Sequence, residues 1–186
     1  MHLIPVGRDA ILAEVADAGE ALSLATWARG RVAAVEIVPA ARTVLFDGVT
    51  GELDLSDWTP GPVTSGDLVT LAVDWNGPDF DHVAETWGRS VPEVMCSTEF
   101  TVAFCGFAPG FSYLTGLPRE LALPRLASPR SRVPAGSLGL AGEYAGIYPT
   151  ASPGGWQLVG TVEADLWDPT RSAPALLPPG TRVRLT

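Results

Sequence analysis

The chain has 186 residues, 46% of them hydrophobic, and a net charge of −9. This is enough for one large domain or two small ones with a sizeable core. The acidic balance argues against nucleic acid, whose binders present a basic surface, and no apolar run reaches the roughly 18 residues of a membrane helix.

In chain order, HLIPVG starts as a strand. AGEALSLATWARG (18–30) places Ala21, Leu22, Leu24, Ala25 and Ala28 on one helical face, with Gly30 as a stop. RVAAVEIVPAARTVLFDG reads as two strands split at Pro39, the second ending at the turn-like Asp47-Gly48. A loop-rich stretch, GELDLSDWTPGPVTSGD, leads to the strand LVTLAVDW. Asp79 or Asp81 is placed to cap a short helix through VAETWG, and Ser90 another through PEVMCS. Strand–helix–strand–strand–helix–strand is the order of a small ferredoxin-like sandwich. Cys96 and Cys105 match no metal or redox spacing, so two free thiols and a cytoplasmic location are expected. MHLIPVGRDA, without a basic start and an apolar centre, is not expected to be a secretory leader.

Composition shifts near residue 105. The first 105 residues hold 16 acids and 5 arginines, and the last 81 hold 5 acids and 7 arginines. No lysine occurs, so every fixed side-chain cation is a guanidinium, a flat fork suited to carboxylate or phosphate. Glycine and proline rise from 15 to 22 across the same boundary, which suits short strands and tight turns in a barrel. After the strand FTVAFCGF, the stretch FAPGFSYLTGL breaks the pattern: Pro109 removes a donor and Gly110 permits a sharp turn. Phe111 and Tyr113, two apart, project together, as core or as the wall of a ligand cleft. Ser112 lacks the second glycine of a nucleophile elbow. Arg130 and Arg132 are also two apart, between Pro129 and Pro134, and offer either two forks for one anion or a surface pair bridging acids. Tyr148 follows a glycine-rich segment, and SPGGW delivers Trp156 and Gln157 into the strand QLVGTV.

The ordered motifs GFAPGFSYL, PRLASPRSRVPAGS, AGIYP, SPGGWQLVG, DLWDP and PPGTRVRL resemble the family called allophanate hydrolase subunit 1, or the B subunit of 5-oxoprolinase, which includes KipI-type kinase inhibitors. The likeness covers about residues 100–186, with DHVAETWGRSVPEVM as a weaker match before it. One departure is Cys96, where the family often has a histidine. The resemblance implies an α+β chain: a ferredoxin-like domain over residues 1–95 and a cyclophilin-like β-barrel over residues 96–186. It implies one component of an ATP-dependent 5-oxoprolinase that converts 5-oxoproline to glutamate, inactive alone. Its implied partners are a C-type subunit (the allophanate hydrolase subunit 2 type) and a third subunit. ATP, with Mg, is expected at a site shared between subunits, and no biotin is expected on this chain. A KipI-like inhibitor of a sensor histidine kinase, or a component of an allophanate hydrolase or urea-carboxylase-type enzyme, is the alternative.

The residues limit the chemistry independently. No Gly-rich loop ends in Lys-Ser/Thr, and the two histidines, His2 and His82, lie outside the second half. No carboxylate cluster reads as a metal site, and no residue is assigned a catalytic role. What remains is a cleft for a small anionic substrate lined by Phe111, Tyr113, Arg130, Arg132, Tyr148, Trp156 and Gln157.

Overall fold

A computed structural model describes residues 1–61 and 66–186. The chain divides into two compact units, Met1–Ser65 and Gly66–Thr186. Its class is α+β, with three α-helices and thirteen strands among the described residues.

The first unit contains β1 (His2–Val6), β2 (Ala10–Glu14), α1 (Ala18–Ala28), β3 (Glu36–Pro39) and β4 (Thr43–Asp47). The strands form one antiparallel sheet in the order β1-β2-β4-β3. Helix α1 begins where the Asp17 carboxylate accepts from the Glu20 amide at 2.9 Å, while Glu20 accepts from the Ala16 amide at 2.9 Å. Gly30, at φ 79°, follows its C-terminus. Ala21, Leu24, Ala25 and Ala28 pack on Ala13, Val44 and Phe46 as the unit's core. Strand β2 has no counterpart in the sequence-based expectation. AILAE favours a helix and lacks polar alternation, and it is a strand because β1 and β4 pair with it on both sides.

The second unit contains β5 (Leu68–Leu71), α2 (Phe80–Trp87), α3 (Val91–Ser97), β6 (Glu99–Cys105), β7 (Ser112–Thr115), a 3₁₀ turn (Arg119–Leu121), β8 (Arg130–Val133), β9 (Ser137–Ala141), β10 (Tyr144–Ile147), β11 (Ser152–Gly154), β12 (Gln157–Thr161) and β13 (Arg182–Leu185). Seven strands make a sheet in the order β12-β9-β10-β7-β6-β13-β5, and β8 pairs with β11. The chain after β5 then reaches the opposite edge. Asp74 and Thr161 exchange backbone hydrogen bonds of 2.9 and 2.8 Å, and the Asp79 amide donates to Leu158 O at 2.9 Å. The sheet therefore closes on itself, which removes its free edges.

This closure moves the expected boundary. Residues 66–95, expected at the end of the first domain, belong to the second unit. Strand β5 pairs in parallel with β13, far downstream. Val83 and Trp87 of α2 and Val91 and Met95 of α3 are buried with Phe100, Leu114, Leu140 and Leu185 in the larger core. The first unit accordingly has one described helix where two were expected. A parallel pairing between segments so distant leaves no local trace, so the strand and helices looked like the completion of a sandwich. Ser90 caps α3, accepting from the Glu93 amide at 3.4 Å, as its position implied.

Candidate functional site

The bend between β6 and β7 is held by its own backbone. Gly106 donates to Phe111 O at 3.2 Å, Ala108 to Gly106 O at 2.8 Å, and Phe111 to Ala108 O at 3.0 Å. Phe107 has φ 70°, the one non-glycine residue with positive φ among the described residues, and it is 62% exposed. A bulky residue in the left-handed region stores roughly 1–3 kcal/mol. Gly110, at φ 84°, lies so close to its neighbour that a Cβ there would sit 2.8 Å from Trp167 Cβ.

Beyond the bend, Phe111 becomes the hub of an aromatic cluster. Its ring lies 5.1 Å from Tyr113, 5.3 Å from Tyr148 and 5.4 Å from Trp156, all edge-on. Phe107 caps it edge-on at 5.4 Å, and Phe104 stacks on Tyr113 at 4.3 Å. The projection of Phe111 and Tyr113 to one side is thus observed. Glycines make the room. A Cβ on Gly146 would lie 3.0 Å from Phe111 Cζ and 3.1 Å from Trp156 Cζ3, and one on Gly154 would collide with the Tyr148 phenol. Phe111, Tyr148, Trp156 and Gln157 are buried, and Tyr113 is half-buried. Ser112 is 3% exposed and donates to Leu177 O at 2.8 Å, a core hydroxyl.

Arg130 is committed elsewhere in the site. Its Nη2 donates to both oxygens of Asp79, at 2.7 and 2.9 Å, and Nη1 donates to Trp156 O at 3.3 Å. Asp79 also accepts from the Leu158 amide at 2.7 Å. Asp79 sits at the N-cap position of α2, but its side chain makes no cap hydrogen bond. The carboxylate ties the helix start to the Trp156–Leu158 strand entry. Arg132 lies on the same strand, exposed and without an ion pair among the described residues, so the two guanidiniums do not act as one fork pair. Gln157 Nε2 donates to Pro124 O at 3.2 Å, while its Oε1 is buried without a partner.

The sequence matches the carboxyltransferase domain, subdomain C and D, over residues 1–177. The chain belongs to that family. Within this carboxyltransferase-domain family it is 51% identical over 111 residues to the B subunit of 5-oxoprolinase from Escherichia coli O157:H7, matching 58% of this chain and 51% of that relative. The B subunit of 5-oxoprolinase from Bacillus subtilis strain 168 is 43% identical over 111 residues, 58% of this chain and 46% of the relative. The chain spans about half the length of the curated relatives it matches. Among solved structures, TTHA0988 aligns with TM-score 0.77 and 30% identity over 95% of this chain and 40% of that one. The conserved uncharacterized protein PH0987 from Pyrococcus horikoshii aligns with TM-score 0.61 and 29% identity, over 100% of this chain and 96% of that one.

In this carboxyltransferase-domain chain, burial pushes the Tyr113 and Tyr148 phenols up, and the positive charge of Arg125 opposes it at both. Both phenols stay protonated at neutral pH and serve as donors or acceptors without charge. Burial also raises the Cys105 thiol, with the Ser112 hydrogen bond opposing, and raises Cys96 on α3. Both cysteines are free. Sequence reasoning missed Asp79 as the partner of Arg130, and it missed Arg125 and Phe107. Arg125 had a readable signal, a second Pro-Arg pair at 124–125 in the same segment as Pro129-Arg130. Among the described residues no group of three His, Cys, Asp or Glu side chains comes together, so these residues offer Mg no ligand cluster of their own. No helix of the described residues is long and apolar enough to cross a membrane.

Proposed function

We propose that this chain acts as the B subunit of an ATP-dependent 5-oxoprolinase in the cytoplasm, joined by a C-type subunit and a third subunit to open 5-oxoproline to glutamate. The observation that carries the reading is the 51% identity to the B subunit of a 5-oxoprolinase. The site's chemistry agrees with it. Aromatic rings, two neutral phenols and arginines position an anion and stabilise developing charge; they do not supply a nucleophile. Phe111, Tyr113, Arg130, Arg132, Tyr148, Trp156 and Gln157 are proposed as the substrate side of the site, with the buried members setting its shape. ATP would sit where subunits meet, its Mg held by the nucleotide and by partner groups, and this chain alone would not turn over.

The test is to co-express the chain with a C-type subunit and a third 5-oxoprolinase subunit, purify the assembly and follow ATP-dependent release of glutamate from 5-oxoproline. Co-purification and turnover that vanish when this chain is omitted are expected. Equal turnover without it, or an assembly that excludes it, overturns the reading.

A further inference from the structure

Three arginines occupy the segment 125–132, and their surroundings separate them. The Arg130 charge is neutralised by Asp79. Arg132, on β8, and Arg125 are both exposed, and only Arg125 lies by the aromatic cluster's turn. Arg125 has no ion pair among the described residues, and its charge is felt by both Tyr113 and Tyr148. Its backbone is pinned on both sides to the turn that carries the aromatic cluster: Gln157 Nε2 donates to Pro124 O at 3.2 Å, and Leu126 N donates to Gly155 O at 2.7 Å. Its guanidinium lies against the bare backbone of Gly155, where a Cβ would sit 3.6 Å from Nε and 3.7 Å from Nη2. The next-but-one residue, Gln157, is 4% exposed and keeps its carboxamide oxygen buried with no partner. A buried acceptor left unpaired is costly, and an N–H donor on a bound molecule removes that cost.

We propose that Arg125, beside the phenols of Tyr113 and Tyr148, holds the carboxylate of a small ligand, and that Gln157 Oε1 accepts from an amide N–H on the same ligand. An unpaired guanidinium and an orphaned amide acceptor, joined through one pinned turn, match a molecule bearing both groups. A cyclic amide acid such as 5-oxoproline has both, and that choice of ligand rests on the 5-oxoprolinase reading. Arg130 then takes a positioning role, holding Trp156 and, through Asp79, the Leu158 amide, so that Gln157 stays in place.

Isothermal titration of the full chain tests this with four probes: L-5-oxoproline, 2-pyrrolidone (no carboxylate), cyclopentanecarboxylate (no amide N–H) and hydantoate (an open-chain carboxylate with an amide N–H). Arg125→Gln should weaken 5-oxoproline about 10–100-fold, the scale of a charged hydrogen bond, and leave 2-pyrrolidone as in the wild type. Gln157→Met should weaken 5-oxoproline about 2–10-fold, the scale of a neutral one, and leave cyclopentanecarboxylate unchanged. Near-ultraviolet circular dichroism of each variant establishes that the aromatic cluster is intact, and Arg125→Lys keeps charge without the fork. Binding of 5-oxoproline with equal affinity to wild type and both variants overturns the subsite while leaving the 5-oxoprolinase reading in place. Binding of hydantoate but not 5-oxoproline, with the same dependence on Arg125 and Gln157, supports the subsite and overturns the reading. A wild-type chain that binds none of the four overturns the subsite.

Discussion

The second unit puts glycine to a use that the first does not. In the first, Gly7, Gly30, Gly48 and Gly51 all have positive φ and sit at turns, and a Cβ on Gly7, Gly30 or Gly51 would meet nothing within 4 Å. In the second, Gly139, Gly146, Gly154 and Gly160 lie inside strands, where a Cβ would press on Trp156, Phe111, Tyr148 or the Val73–Asp74 segment. The first set serves chain direction; the second makes space for rings and for barrel closure. The second unit also holds the least exposed ion pair among the described residues. His2 and Glu14 of the first unit meet at 3.2 Å with both side chains more than half exposed, whereas Asp79 and Arg130 meet at 2.7 Å with 12% and 27% exposure. A glycine-rich strand set around buried aromatics, with a partly buried ion pair behind it, marks where specific geometry was worth a cost in backbone freedom.

The largest expected effect tests the ion pairs. Asp79→Ala leaves Arg130 without its anion and Leu158 N without its acceptor, and should cost about 2–4 kcal/mol by denaturant unfolding. His2→Ala should change nothing measurable. A small effect for Asp79→Ala would place the Trp156–Leu158 strand under other control and erase the contrast.

The glycines come next. Gly146→Ala should cost about 1–3 kcal/mol, because Phe111, Trp156 and Ser112 O all lie near 3 Å from the new Cβ. Gly30→Ala should cost about 1 kcal/mol, from left-handed backbone alone, with open space around it. Equal losses in the two would mean that steric room is not what the strand glycines supply.

Phe107 sharpens the comparison from the side of strain. Phe107→Gly relieves the left-handed conformation and gives up a ring that is 62% exposed. Stability should rise by up to about 1 kcal/mol. A fall of that size would show that its edge contacts to Phe111 and Tyr148 outweigh the strain.

The smallest effect is a pH dependence. Hydrogen bonds from Arg182, first among the causes, and the charges of Arg182 and Arg184 hold the Glu99 carboxyl below its ordinary range. A folded-state pKa below the unfolded one gives stability that is full above the unfolded value and lost as pH falls through the folded value. Melting temperature between neutral and acid pH should therefore drop less steeply for Glu99→Gln than for wild type. Parallel curves would show that the pair contributes nothing.

Sequence alone determined most of the local elements and which side chains were candidates for the site. Ser90 as a cap, Gly30 as a stop, the split at Pro39, and the joint projection of Phe111 and Tyr113 all depend on nearest neighbours and backbone periodicity, so a one-dimensional reading reaches them. The tertiary structure decided the rest. Whether 66–95 closes the first unit or joins the second depends on β5 meeting β13 and on Asp74 meeting Thr161, contacts with no sequence proximity. Which arginine is available to an anion depends on Asp79 lying opposite Arg130, 51 residues away, while Arg125 lies over Gly155 with no acid beside it among the described residues. A guanidinium's chemistry is written in its residue type, but its free charge is set by which carboxylate the fold brings within reach.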